Sequence, residues 1–334
     1  MLADPRLHRY FLFLQAYAGL TDESVNRLSA ALDVKTVPIG TFQILGSGRI
    51  HEGMDDAQLS DFLRKLALRA DGPPIAIEIL GMRVFGAKSD KLSVSEAIKD
   101  MGRELIAQVS FANRESHHHE FMLARLIEVS LDRPEDYPLA HELCTKIAEG
   151  MDRYLISSDI SEILKALTKV CPRAVLDVLV ENYESSRARS LFRDLRETRP
   201  DPLSELSEDA IIAWATEKPE TRYPALAQVV RFADAGDDTS SKCWSPAAEK
   251  IIELAPDVKR VLNVFLSRFQ PMGWNGSRAE IMGSRVSLIQ SLAGHARPEI
   301  AEWAATSLPV FEARVAQERA SEAIRDKDRD ERFE

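Results

Sequence analysis

The feature that most constrains this chain is a series of short amphipathic stretches, each opened or closed by proline. It is clearest between Ser245 and Phe269. Ser245 stands as an N-cap before Pro246, Glu249 sits in the first turn, and Ala247, Ala248, Ile251, Ile252 and Ala255 follow down one face. Pro256 stops that helix and opens another, in which Val258, Val261, Leu262, Phe265, Leu266 and Phe269 recur at helical spacing. Neither helix can bury its stripe alone. A junction this short favours the sequence neighbour, lying antiparallel, as partner.

The device recurs. Prolines follow a short break and precede a helical apolar pattern at Pro138, Pro172, Pro224, Pro256 and Pro298, and the doublet Pro73-Pro74 does the same. Successive intervals from Pro138 are 34, 52, 32 and 42 residues, against periods of about 34 to 47 in helix-pair repeats, so the long interval suggests an insertion. The expected fold is all-α: an α-solenoid of degenerate antiparallel helix pairs, HEAT- or armadillo-like. The units share no residue-for-residue identity, and an irregular helical domain with prolines at its helix starts is the alternative. The expected division is an N-terminal helical-repeat segment at 1–184, a charged linker or insertion at 185–206, a C-terminal helical-repeat segment at 207–316 and a charged, fraying tail at 317–334.

The chain is long enough, at 334 residues, to bury a large core. A net charge of −10 gives an overall field that repels nucleic acid and anionic membrane. Cys144, Cys171 and Cys243 are odd in number and widely spaced, which fits free thiols in a reducing compartment. The apolar cluster Tyr10 to Leu14 follows Asp4, Arg6 and Arg9 and is too short for a signal core or a span. These readings give a soluble, cytoplasmic chain with no membrane contact and nucleic acid as an unlikely partner.

Asp4-Pro5 starts a helix whose expected inner face is Leu7, Tyr10, Phe11, Leu14 and Ala18; Thr21 caps the next, with Val25, Leu28, Ala31 and Leu32 as its stripe. Thr36 to Gly53, with its proline and four glycines, reads as a loop. Ile75 to Phe85 is ambiguous. Ile75, Ile77 and Ile79 alternate as in a strand, whereas Ile75, Ile79, Met82 and Phe85 share a helical face; with helices on both sides the segment reads as helix despite Gly81. Ser93 or Ser95 caps a helix carrying Ile98, Met101, Leu105, Ile106 and Val109, and Phe121, Ala124, Ile127 and Leu131 are in register in the one after it. Asp234 to Lys242 reads as a loop, and Trp274, beside glycines, as a plug between helix layers.

Candidate chemistry is thin. Gly46-Ser47-Gly48 lacks the Gly-Lys-Ser/Thr ending of a phosphate loop. His117, His118 and His119 point in different directions in any regular backbone, and His141 with Cys144 offers two metal ligands and no second pair. Arg187, Arg189, Arg193, Arg196 and Arg199 form the one basic stretch, but Glu184, Asp194, Glu197, Asp201 and Glu205 interleave with them, and Phe192 is the only aromatic residue for stacking. No catalytic, cofactor-binding or metal-binding residue is assigned.

Residues Pro256 and Gly273-Trp274-Asn275-Gly276-Ser277, a helix ending near His295, Glu302-Trp303-Ala304 and the terminal Arg329-Asp330-Glu331-Arg332-Phe333-Glu334 resemble the C-terminal, HEAT-like helical-repeat region of large bacterial phage-defence and signalling proteins of the NTPase type. The resemblance covers roughly the last 80 residues and its motifs are structural. It implies a sensor or scaffold arm whose enzymatic portion lies outside this chain, since no Walker A, nucleophile elbow or dinucleotide fingerprint is legible. The expected function is a non-catalytic protein-interaction scaffold with another protein as partner. A nucleic-acid-binding repeat protein and an enzyme with an illegible site are the alternatives.

Overall fold

A computed structural model describes residues 4–18, 20–33, 35, 37–47, 53–89, 92–111, 120–153, 155–181, 206–235, 242–271 and 273–330. The described chain is mostly helical, and its strands are two three-residue segments. No described helix is long and apolar enough to cross a membrane. The chain divides into two compact units, the first ending at Leu179 and the second taking the described residues from Val180 onward.

In unit 1 the helices are α1 (His8–Ala18), α2 (Asp22–Asp33), α3 (Asp56–Ala67), α4 (Gly72–Ser89), α5 (Glu96–Ala107), α6 (Glu120–Ser130), α7 (Tyr137–Met151), α8 (Ser161–Val170) and α9 (Pro172–Val175), with a 3-10 segment at Ile39–Gly46. Polar side chains set where they begin. Gln58 N donates to Asp55 Oδ1 (2.8 Å) and Asp55 N to Gln58 Oε1 (3.2 Å), a reciprocal cap that opens α3, while Ser95, not Ser93, accepts from Ile98 N at the start of α5. The helices then alternate between two rows. One row runs α2, α3, α5, α7, α9; the other runs α1, the 3-10 segment, α4, α6, α8; and across the rows α3 packs on α4, α4 on α5, α5 on α6 and α8 on α9. An amphipathic helix placed this way hides its stripe against its sequence neighbour and the next but one. α4, flanked on several sides, is buried nearly all round through Ile75, Ala76, Ile77, Ile79, Leu80 and Val84.

Unit 2 holds α10 (Glu208–Glu217), α11 (Pro219–Val229), β1 (Ala233–Ala235), β2 (Lys242–Trp244), α12 (Pro246–Leu254), α13 (Val258–Ser267), α14 (Arg278–Gly283), α15 (Val286–Gln290) and α16 (Pro298–Asp330). Here α10 packs on α12, α11 on α13, and α13, α14 and α15 on α16. The core is aromatic: Trp244 meets Phe265 edge-on at 5.3 Å, and Phe269 meets Phe311 edge-on at 5.5 Å. Arg222 is buried at 3% side-chain exposure, yet its guanidinium is covered by Trp214 and bonded to Glu181, Glu217 and the Trp214 carbonyl.

Many polar contacts between helices span 32 to 45 residues. Lys65 to Asp33 spans 32 residues, Arg64 to Glu104 40, Arg103 to Asp136 33, Tyr137 to Asp177 40, Lys218 to Glu181 37, Arg260 to the Glu220 carbonyl 40 and Trp303 to Asn263 40. That interval is the length of two helices and two connections.

Several expectations are corrected. α1 buries His8, Phe11 and Leu12 and leaves Tyr10 and Leu14 exposed at 61% and 53%, because five consecutive apolar residues give periodicity no face to choose. Within Thr36 to Gly53, Ile39–Gly46 takes a helix's place in its row through buried Phe42 and Leu45, whose spacing of three suits a 3-10 turn. Ala233–Ala235 pairs antiparallel with Lys242–Trp244, so the ends of the expected loop are strands. Trp274 is 42% exposed under the Arg278 guanidinium, and Trp214, Trp244 and Trp303 fill the interior instead. The tail, expected as a solvated helix, is the continuation of α16 to Asp330, and Glu322 on it accepts from Ser277 Oγ and from the Arg278 and Ala279 amides at the start of α14. The breaks expected at 113–119 and 185–205 lie outside the described residues.

Gly81, which weakened the helical reading of α4, is the point where α6 comes closest: a Cβ there would stand 2.6 Å from Met122 Cβ. Gly81→Ala is expected to destabilise the protein by about 1–3 kcal/mol in urea unfolding, although alanine is the better helix former. Gly40→Ala, with nothing within 4 Å of the new methyl, is the neutral control. A stabilised Gly81→Ala would contradict the packing.

Candidate functional site

The residues that stand out for function lie across α4, α6 and α8, adjacent members of one row. α6 buries Leu123, Ala124, Leu126 and Ile127, which turns Phe121, Arg125 and Glu128, at i, i+4 and i+7, to the other face. Phe121 is 42% exposed and meets the 44% exposed Phe85 of α4 edge-on at 6.1 Å. Arg125 lies over the Phe121 ring at 4.8 Å and donates to Glu128 Oε2 at 2.9 Å, so ring, guanidinium and carboxylate hold one another in place. Lys88 of α4 and Lys169 of α8 approach the same carboxylate at 3.7 and 3.5 Å. Lys88, Glu128 and Lys169 thus occupy matching positions on successive helices, one interval of about 40 residues apart.

The electrostatics follow from that placement. Burial of Glu128 alone would raise its pKa, but the charges of Lys169, Arg125 and Lys88 outweigh it and hold the carboxyl below the usual range. Glu128 is ionised near neutrality and is unsuited to give up a proton there. Three cations share one carboxylate, and the two lysines, more than half exposed, keep donors for something else.

A second cluster joins α7 to the start of α9. Tyr137 Oη donates to Asp177 Oδ2 at 2.8 Å, Arg173 Nε donates to the same oxygen at 2.7 Å, and the His141 ring lies 5.7 Å from that of Tyr137. Burial, then the Asp177 hydrogen bond, pushes the Tyr137 phenol up to about 12. Burial likewise raises Cys171, with Asp136 and Asp177 adding to it, and raises Cys144 further. All three groups stay protonated at neutral pH, the state least suited to a nucleophile or base. A third cluster is an ion-pair hub: Arg103 binds Asp100, Asp132 and Asp136, and Lys99 binds Glu96 and Asp132.

The histidine triplet and the five arginines from 187 to 199 lie outside the described residues. His141 packs on Tyr137 and Cys144 is fully buried, and no metal-binding group of three occurs among the described residues. Phe85 and Phe121 were expected to face inward, and the structure exposes both. A legible signal was the charged residue at the edge of each stripe, Lys88 after Phe85 and Arg125 after Phe121, recurring at the interval that brings them together. Comparison of the chain with protein-family models, with curated proteins and with solved structures gives no match.

Stability should fall in acid. The Lys99 hydrogen bond holds Asp132 low, and the surrounding cations hold Glu128 and Glu181 low against their burial. A depressed folded pKa contributes stability that is present above the unfolded value, ordinarily 3.8 for Asp and 4.5 for Glu, and lost as pH falls through the folded value. Urea midpoints are therefore expected to be flat from pH 7 to 5 and to drop steeply below about 4.5. Glu128→Gln should lower stability at pH 7 by about 1 kcal/mol and reduce that drop; an unchanged acid limb would contradict the assignment.

Proposed function

We propose that this chain is a non-catalytic interaction scaffold or sensor arm, an α-solenoid of HEAT- or armadillo-like helix pairs that binds another protein along the face its rows expose. The observation that carries the reading is the recurring interval of 32 to 45 residues kept by contacts as different as Lys65–Asp33 and Arg278 N–Glu322. Within each unit most described helices pack on the element next but one, and surfaces built by such repeated packing suit the capture of a macromolecule. The phenol and thiols held protonated, and the carboxylate held ionised by three cations, are consistent with recognition by fixed charge. Free thiols fit a reducing, cytoplasmic setting. The resemblance of the last 80 residues to phage-defence proteins supports a place in bacterial defence, with any enzymatic portion outside these 334 residues.

The test is affinity purification from the protein's own cell, followed by reconstitution of the complex from purified components. Charge reversals at exposed positions on successive helices of one row are expected to weaken the same partner, each by about three- to tenfold, with folding intact. Hydrolase, transferase or nuclease turnover by the purified chain, lost on changing one buried polar residue, would overturn the proposal.

A further inference from the structure

The exposed phenylalanine pair of α4 and α6 lies beside two lysines that share a single carboxylate, in a chain whose net charge is −10. We infer that this patch, made by Phe85, Lys88, Phe121, Arg125, Glu128 and Lys169, is a docking site for a short acidic peptide segment of another protein, one with two carboxylates flanking an aromatic or aliphatic anchor. The inference rests on the scaffold reading and names the partner's chemistry.

Charge complementarity selects the acidic side. Glu128 meets the charge of Arg125 through a 2.9 Å hydrogen bond, whereas Lys88 and Lys169 stand farther off at 3.7 and 3.5 Å with side chains 62% and 54% exposed. Each ammonium has three donors, and neither long contact uses them up. Glu128 therefore acts as a fixed pin that holds two half-free ammonium groups at one level. Glu120, at the N-terminal end of α6, accepts from Ser161 Oγ and the Glu162 amide, whereas Glu128 lies near the C-terminal end with the lysines.

The rings select an apolar anchor over a nucleobase. Base stacking needs an open aromatic face, and the Arg125 guanidinium covers a face of Phe121 at 4.8 Å while Phe85 meets it edge-on. The half-exposed rings offer apolar surface against which an inserted side chain packs. A polyanion is disfavoured further by the field of the whole chain, against which two lysines count little, whereas a short peptide with two carboxylates feels mainly charges within a Debye length of about 8 Å.

The test is selection of a random twelve-residue peptide display library on the full chain, followed by fluorescence anisotropy of the synthesised consensus. The expected consensus places two or more Asp or Glu within four positions of Phe, Trp or Leu. Its affinity should fall at least tenfold for the double variant K88E and K169E, at least fivefold for F85S, and less than twofold for R319E on the exposed surface of unit 2. Circular dichroism checks that each variant is folded, and the surface lysine pair keeps the test valid if F85S is not. A neutral or basic consensus, no enrichment, or undiminished binding by K88E/K169E would overturn the inference. So would binding to a twenty-residue oligothymidylate or to phosphatidylserine vesicles that exceeds peptide binding and is abolished in K88E/K169E. The scaffold reading stands or falls separately: a native protein partner that binds K88E/K169E normally removes this patch and keeps the scaffold, whereas intrinsic turnover removes the scaffold.

Discussion

Among the described residues most helices pack on the element next but one in sequence, and burying an apolar stripe too wide for a single neighbour is the constraint on which the rest depends. It explains where backbone must come close, as at Gly81 against Met122, and where volume must be supplied, as by Trp244, Phe265 and Phe269 in unit 2. Propensity gives way to packing at such points. A glycine in the middle of α4 lowers helix propensity, and α6 could not approach without it.

The polar groups follow the same geometry. Once helices stack at a fixed interval, positions one interval apart face each other, and charges placed there form ladders: Arg103 to Asp136, Tyr137 to Asp177, and Lys88 to Glu128 to Lys169. Where both partners are exposed such pairs contribute little free energy, whereas Asp136, Asp177 and Glu128 are largely buried and their pairing offsets the cost of burying the charge. Glu128 stands between two ammonium groups beside the Phe85–Phe121 pair, so the proposed docking patch has its charges and rings at neighbouring positions.

Much of this was legible in the sequence. The paired helices of Ser245 to Phe269, the Ser245 cap and the helical reading of Ile75 to Phe85 rest on strong periodicity and local capping chemistry, which act within a few residues and survive in the structure. The exposed site was hidden for the opposite reason. α4 is apolar almost all round, so periodicity could not tell Phe85 on its rim from Ile79 in its core. In α1, five successive apolar residues concealed which face the 3-10 segment would cover. Trp274 was read as interior from composition alone, yet its neighbour Arg278, tied to Glu318, holds it at the surface. In α1 and α4 the deciding neighbour lies tens of residues away, beyond any local window, and Arg278 is itself placed by Glu318, 40 residues on.

Zero-length carbodiimide cross-linking with mass spectrometry of the products tests the stacking most directly, because it joins only ammonium and carboxylate groups already in contact. Within each unit the account expects links such as Lys65–Asp33, Lys99–Asp132, Lys218–Glu181 and Lys259–Glu302, which span 32, 33, 37 and 43 residues. Links joining helices two or more intervals apart within a unit, at yields equal to these, would contradict it.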